Sequence, residues 1–153
     1  MTMNWYTRVT QNITLLPDFI QHYETELENS RGEVRVRGNI EQNLAALPGH
    51  TEHRFNQLQE IEAVLNYLNI QLRQLRSTTY RRYLERYNRE LSSRDADKYV
   101  DGEQEVVHME TLVNEVALLR NRYLGIMKGL EAKQWQLGHI TKLRTAGMEN
   151  STI

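Results

Sequence analysis

The chain has no cysteine, and only two prolines among its 153 residues. Without cysteine there is no disulfide framework, no thiolate metal site and no sulfur nucleophile. That composition suits a reducing compartment, and a cytoplasmic location is the expectation. Two prolines and eight glycines are few for the many turns of a sandwich or barrel. No run of 18 apolar residues exists, so no membrane span is expected. The opening MTMNWYTRVTQ lacks the apolar core of a signal peptide. Neither sign of charge dominates: 19 basic against 20 acidic residues leave a net of −1. So near-neutral a chain has no global pull towards nucleic acid. There is no nucleophile elbow, phosphate loop or dinucleotide fingerprint. Neither an enzyme nor a cofactor is expected. His50 and His53 have metal-like spacing, but no third ligand joins them in a defined pattern, and no metal site is expected.

A modest apolar share of 39% with so few helix breakers points to long amphipathic helices. The expected fold is all-α, one helical domain over residues 1–153. Two long antiparallel helices would form a coiled-coil-like hairpin, with two shorter helices before it. The first dozen residues are polar and read as loose. Leu16, Phe19, Ile20, Tyr23 and Leu27 put an apolar stripe on a first helix, with Pro17 early in it and Gly32 as its stop. Val36, Ile40, Leu44 and Leu47 predict a second, from about Val34, ended by Pro48-Gly49.

From Thr51 to Leu91 there is neither proline nor glycine. Leu58, Ile61, Leu65, Leu68, Leu72 and Leu75 step by three and four residues, a heptad seam. The stripe then shifts to Tyr80, Tyr83, Tyr87 and Leu91. A helix of that span is roughly 60 Å long, against a radius of gyration of about 15 Å for a compact chain of this size. It must protrude, fold back or pack in an oligomer. Residues 92–102 read as a polar connection. A last helix is expected from about Glu103 to Thr145 on the stripe from Val106 to Leu130. Trp135, Ile140 and Leu143 continue that stripe with a slip. Gly125 and Gly129 form a GxxxG within it, and glycine costs a helix about 1 kcal/mol relative to alanine. Close approach of another helix is the expected compensation. With Leu58, Leu65, Leu68 and Leu72, these glycines are the candidates for helix or oligomer packing, and a homo-oligomer is expected.

Charge is segregated. Residues 95–115 carry seven acids and one base, while residues 71–89 carry six arginines and one acid. Residues 120–144 are again basic. Internal pairing between the acidic and basic segments explains this without any partner. The alternative is a nucleic-acid contact. Arg73, Arg76, Arg81, Arg82, Arg86 and Arg89 can neutralise phosphates, and Tyr83 can stack on an unpaired base. Only four of the 19 basic residues are lysines, and guanidinium groups bind phosphate bidentately. The competing reading, which the pattern favours slightly, is that the tyrosines continue the core stripe and the arginines solvate the outer face.

Two segments resemble the phage recombination mediator family of UvsY type. One is the basic helix ending in tyrosines, Arg76–Tyr87; the other is the run Leu130–Arg144, with Ala132, Trp135, His139-Ile140 and Lys142. The resemblance covers residues 73–147. It implies a small helical oligomer in the host cytoplasm that binds single-stranded DNA. Such a protein remodels the single-strand-binding protein and helps load a RecA-like recombinase in recombination or replication. Arg76, Arg81, Arg82 and Tyr83 carry over by the first segment, Lys142 and Arg144 by the second. The rival expectation is a coiled-coil structural or assembly factor with no nucleic-acid contact. Pairing of Arg82, Arg86 and Arg89 with acids from residues 95–115 would favour the rival.

Overall fold

A computed structural model describes residues 3–86 and 91–148 of the chain. Tyr87 and Arg89 lie outside the described residues, as does the tail from residue 149. The described residues form helices and no strand, in the order α1 (Trp5–Gln11), a single 3₁₀ turn (Ile13–Leu15), α2 (Leu16–Val34), α3 (Ile40–Arg86), α4 (Ser93–Gly102) and α5 (Gln104–Thr145). The all-α expectation, with a long hairpin, holds; of the two shorter N-terminal helices expected, the one from Leu16 is present as α2, whereas the one expected from Val34 to Leu47 is no separate helix but the start of α3.

The N-terminal segment is ordered, contrary to expectation. Asn4 caps α1 by accepting from the Thr7 amide at 2.8 Å. Val9 is fully buried, and Trp5 packs edge-on against Phe19 at 6.2 Å. Trp5 also packs on His22 at 5.4 Å, so a buried valine and a tryptophan anchor seven residues whose apolar period is too short to see.

Gly32 does not stop α2, which runs on to Val34. The break comes instead at residues 35–39, where Arg35 is extended and Gly38 takes a left-handed φ of 75°. Asn39 then caps α3 by accepting from the Gln42 amide at 3.2 Å. Nor does Pro48-Gly49 break the chain: α3 passes straight through Pro48. Pro48 withholds an N–H from the Leu44 carbonyl, and both residues are on the exposed side, where water can take that acceptor. Thr51 is consequently no N-cap; its hydroxyl donates to the Leu47 carbonyl at 2.9 Å. The helix is unbroken from Phe55 to Leu72, as the heptad seam predicts.

At 47 and 42 residues, α3 and α5 are each about 60–70 Å long and pack antiparallel. Contacts across the pair fix the register. Arg76 meets Glu110, Arg120 meets Glu62, Tyr123 meets Gln57, and Leu47 clusters with Leu130 and Leu137. The middle of this hairpin is covered by α2. Phe19, Tyr23 and Leu27 join Leu58, Ile61, Val64, Leu68, Val116, Leu119 and Tyr123 in the main core. Each such side chain, fully buried, contributes about 1.5–3 kcal/mol. The leucine seam is thus used within one chain: Leu58 and Leu68 are buried, Leu65 packs on the core, and Leu72 is half-buried.

Gly129 does permit a close approach, by a side chain of α2. A Cβ there would lie 2.7 Å from a Val34 methyl, whereas Gly125 and Gly138 face open space. Gly147, with φ 72°, ends α5, and the Met148 amide donates back to the Leu143 carbonyl at 2.9 Å.

A buried polar centre ties the three helices together. Arg54, 4% exposed, donates to Glu33 through Nε at 2.9 Å and through Nη2, and to Glu26 at 2.7 Å and Gln57 at 2.8 Å through Nη1. The Arg54 guanidinium holds the Glu33 carboxyl below the usual carboxylate range. The Gln57 amide and then Arg54 do the same for Glu26. Lys133 Nζ donates to the Glu33 carbonyl at 2.7 Å, satisfying the last turn of α2.

Candidate nucleic-acid interface

The arginine-rich segment occupies the C-terminal third of α3, at the end of the hairpin where α5 begins. The segment expected to be a mere polar connection folds there as α4. Ser92 starts it by accepting from the Asp95 amide, and Ala96 and Val100, one turn apart, are its buried anchors. With Thr79 buried as well, α4 is packed at the α3–α5 corner, and its acids are carried to the arginines.

Two arginines are paired there. Arg76 bridges Asp101 at 2.6 Å and Glu110 at 3.0 Å. Arg82 meets Glu103 at 3.1 Å and leans over the Tyr83 ring, 5.8 Å from its centroid. Tyr83 is half-buried; its hydroxyl donates to Glu103 at 2.6 Å, and its ring stacks on Tyr99 at 5.4 Å. The Tyr83 hydroxyl, followed by Arg82, holds the Glu103 carboxyl below its usual value. Tyr83 is therefore seated against protein.

Arg73, Arg81 and Arg86 are different. All three are exposed, and none has an ion pair among the described residues. Arg73 and Arg81 are eight residues apart and face outward with Ser77 between them, while Arg86 lies one turn beyond Arg82 on the flank. Of the three arginines whose pairing was to discriminate the two expectations, Arg82 is paired, Arg86 is not, and Arg89 lies outside the described residues. Lys142 and Arg144 are exposed in the last turns of α5. The antiparallel hairpin puts them at its opposite end, about 50 Å from Arg76 along the helices. The two basic segments therefore make separate patches.

No protein-family model, curated protein or solved structure matches this chain.

The opposite, open end of the hairpin has a feature that the sequence pattern concealed. Trp135 is not part of the buried stripe; it is 68% exposed. Leu137, seven residues after Leu130, takes the core position instead. The slip in the apolar period at Trp135 was the available signal. At the same end of the hairpin Leu44, Leu47, Pro48, Phe55, Met127 and Gln134, the residue before Trp135, line a groove of about 670 Å³ between α3 and α5. Among the described residues, no helix is long and apolar enough to cross a membrane.

Proposed function

We propose that the protein binds single-stranded nucleic acid through the arginine-bearing end of α3, as an accessory factor in recombination or replication of the kind the UvsY resemblance implies. The observation that supports this is the division of labour among the arginines. An acidic helix start and α4 lie alongside the segment, yet among the described residues they engage only Arg76 and Arg82. Arg73, Arg81 and Arg86 keep solvated guanidinium groups, which are available to phosphates. In this reading Arg76 and Arg82 act as positioning residues that hold α4 in place. Partner proteins would be the recombinase and the single-strand-binding protein. A fluorescence-anisotropy titration with labelled oligo-dT at low salt tests the proposal. Saturable binding weakened by added salt is expected, and the absence of binding overturns it.

A second reading, a helical structural or assembly factor, is favoured by a different observation. Arg82, Tyr83 and Glu103 form an internal contact, while the apolar groove and the exposed Trp135 at the other end are apolar surfaces left open to solvent. On that reading the same titration gives no binding, while association with another protein persists.

A further inference from the structure

The open end of the hairpin lacks what its other regions have. The middle is covered by α2 and the far end by α4, whereas at the open end the last turn of α2 reaches one side only, with Glu33 on Arg54 and Val34 on Gly129, and the other side of α3 from Ile40 to Phe55 and of α5 from Met127 to Thr145 is a bare two-helix face. That face is ordered by charge. Glu41, Leu44, Pro48, Glu52 and Phe55 follow one another at three- and four-residue steps, so one exposed stripe of α3 is apolar with two acids. Lys128, Trp135 and Lys142 recur every seven residues, so the matching stripe of α5 is an exposed tryptophan between two lysines. Glu131 is an acid on that rim, one turn from Lys128. Among the described residues none of Glu41, Glu52, Lys128 and Lys142 is in an ion pair.

We propose that this face is the contact between two copies of the chain, related by a two-fold axis running along the hairpin. Such an axis lays α3 of one copy over α5 of the other with heights preserved. The register fixed by Arg120–Glu62 and the Leu47–Leu130–Leu137 cluster, continued to the open end, sets Glu41 level with Lys142 and Glu52 level with Lys128. Each acid then faces a lysine of the other copy, and each Trp135 comes level with the other copy's Leu44–Pro48 surface. The groove and the side chain that fills it are thus carried by the same molecule, as an isologous interface requires. A two-fold axis across the hairpin would instead set α3 on α3, acid against acid, and is disfavoured. Tryptophans seated in a partner's pocket are enriched among the residues that carry most of an interface's binding energy. Both copies point the arginine ends of α3 the same way, so the dimer presents two such patches side by side. Lys142 is then engaged by protein, leaving phosphate contacts to the other end. The inference stands whether or not nucleic acid is the ligand.

Sedimentation equilibrium from low micromolar to hundreds of micromolar protein tests it. The wild-type chain should reach twice its 18.1 kDa mass reversibly. Trp135→Glu should remain at the single-chain mass with an unchanged helical circular dichroism spectrum, since Trp135 is largely exposed. Glu41→Lys and Lys142→Glu should each weaken the dimer roughly tenfold, and the two together should restore it. An 18.1 kDa species at every concentration overturns the proposal and leaves the face to a different protein. A dimer that survives Trp135→Glu, or single swaps that the double swap does not rescue, overturns the proposed axis.

Discussion

Tyr83 donates its hydroxyl to Glu103 at 2.6 Å, across the corner where α3 leaves the hairpin and α5 enters it. Glu103 also accepts from Arg82 and begins α5, so one carboxylate ties the arginine segment to the helix start. The stacking of Tyr83 on Tyr99 brings α4 into the same corner.

Removing the Tyr83 hydroxyl should therefore affect folding before binding. Tyr83→Phe keeps the stack and loses one charge-assisted hydrogen bond, so it should melt below the wild type. Tyr83→Ala loses the ring as well and should melt lower still. Oligo-dT affinity, measured below the melting range, should not change for either variant. Affinity lost at an unchanged melting temperature would show instead that the ring stacks on bases.

Arg54 should be the most costly polar residue to remove. Arg54→Leu strands Glu26 and Glu33 at a junction of three helices. A fully buried pair broken this way costs about 3–5 kcal/mol, and the partial exposure of both carboxylates reduces that to about 2–4 kcal/mol. Chemical denaturation at neutral pH measures it.

The same centre sets an acid limit. Both carboxyls are held below their usual value in the folded chain. Their stabilisation is thus complete above the unfolded value of about 4.3 and is lost as pH falls through the lowered folded values. Wild-type stability should drop on acidification below about pH 4.3 more steeply than that of Arg54→Leu, and the two curves should converge. Parallel curves would contradict the pairing.

The two glycines of the GxxxG should respond with opposite signs. Gly125→Ala faces open space and should stabilise α5 by about 0.5–1 kcal/mol. Gly129→Ala places a methyl against a stiff Val34 side chain and should destabilise by about 1 kcal/mol net. Thermal melts of the two variants decide it.

Long-period features were legible in the sequence. The heptad seam from Leu58 to Leu75 and the Val106–Leu130 stripe each repeat over many turns, so a few misplaced residues do not hide them. Short elements were lost because their signals are single contacts. Ser92 with Asp95, and Ala96 with Val100, did mark α4, but polar neighbours outweighed two buried residues. Pro48 was read by its usual effect, although its solvated side lets the helix continue. The Arg54 centre could not be read at all, since its carboxylate partners lie 21 and 28 residues away on another helix. Among the arginines the sequence shows a cluster; only the placement of α4 and the start of α5 separates Arg76 and Arg82 from Arg73, Arg81 and Arg86.

That separation is the central claim, and the salt dependence of oligo-dT binding tests it most directly. Titrations of the wild type and of the Arg73→Gln/Arg81→Gln/Arg86→Gln variant across a range of salt concentrations give the slope of log affinity against log salt. The variant's slope should be shallower by about 2, from ~0.7 for each of three lost phosphate contacts, at an unchanged melting temperature. Equal slopes for the two proteins, or no binding by the wild type at the lowest salt, would contradict it.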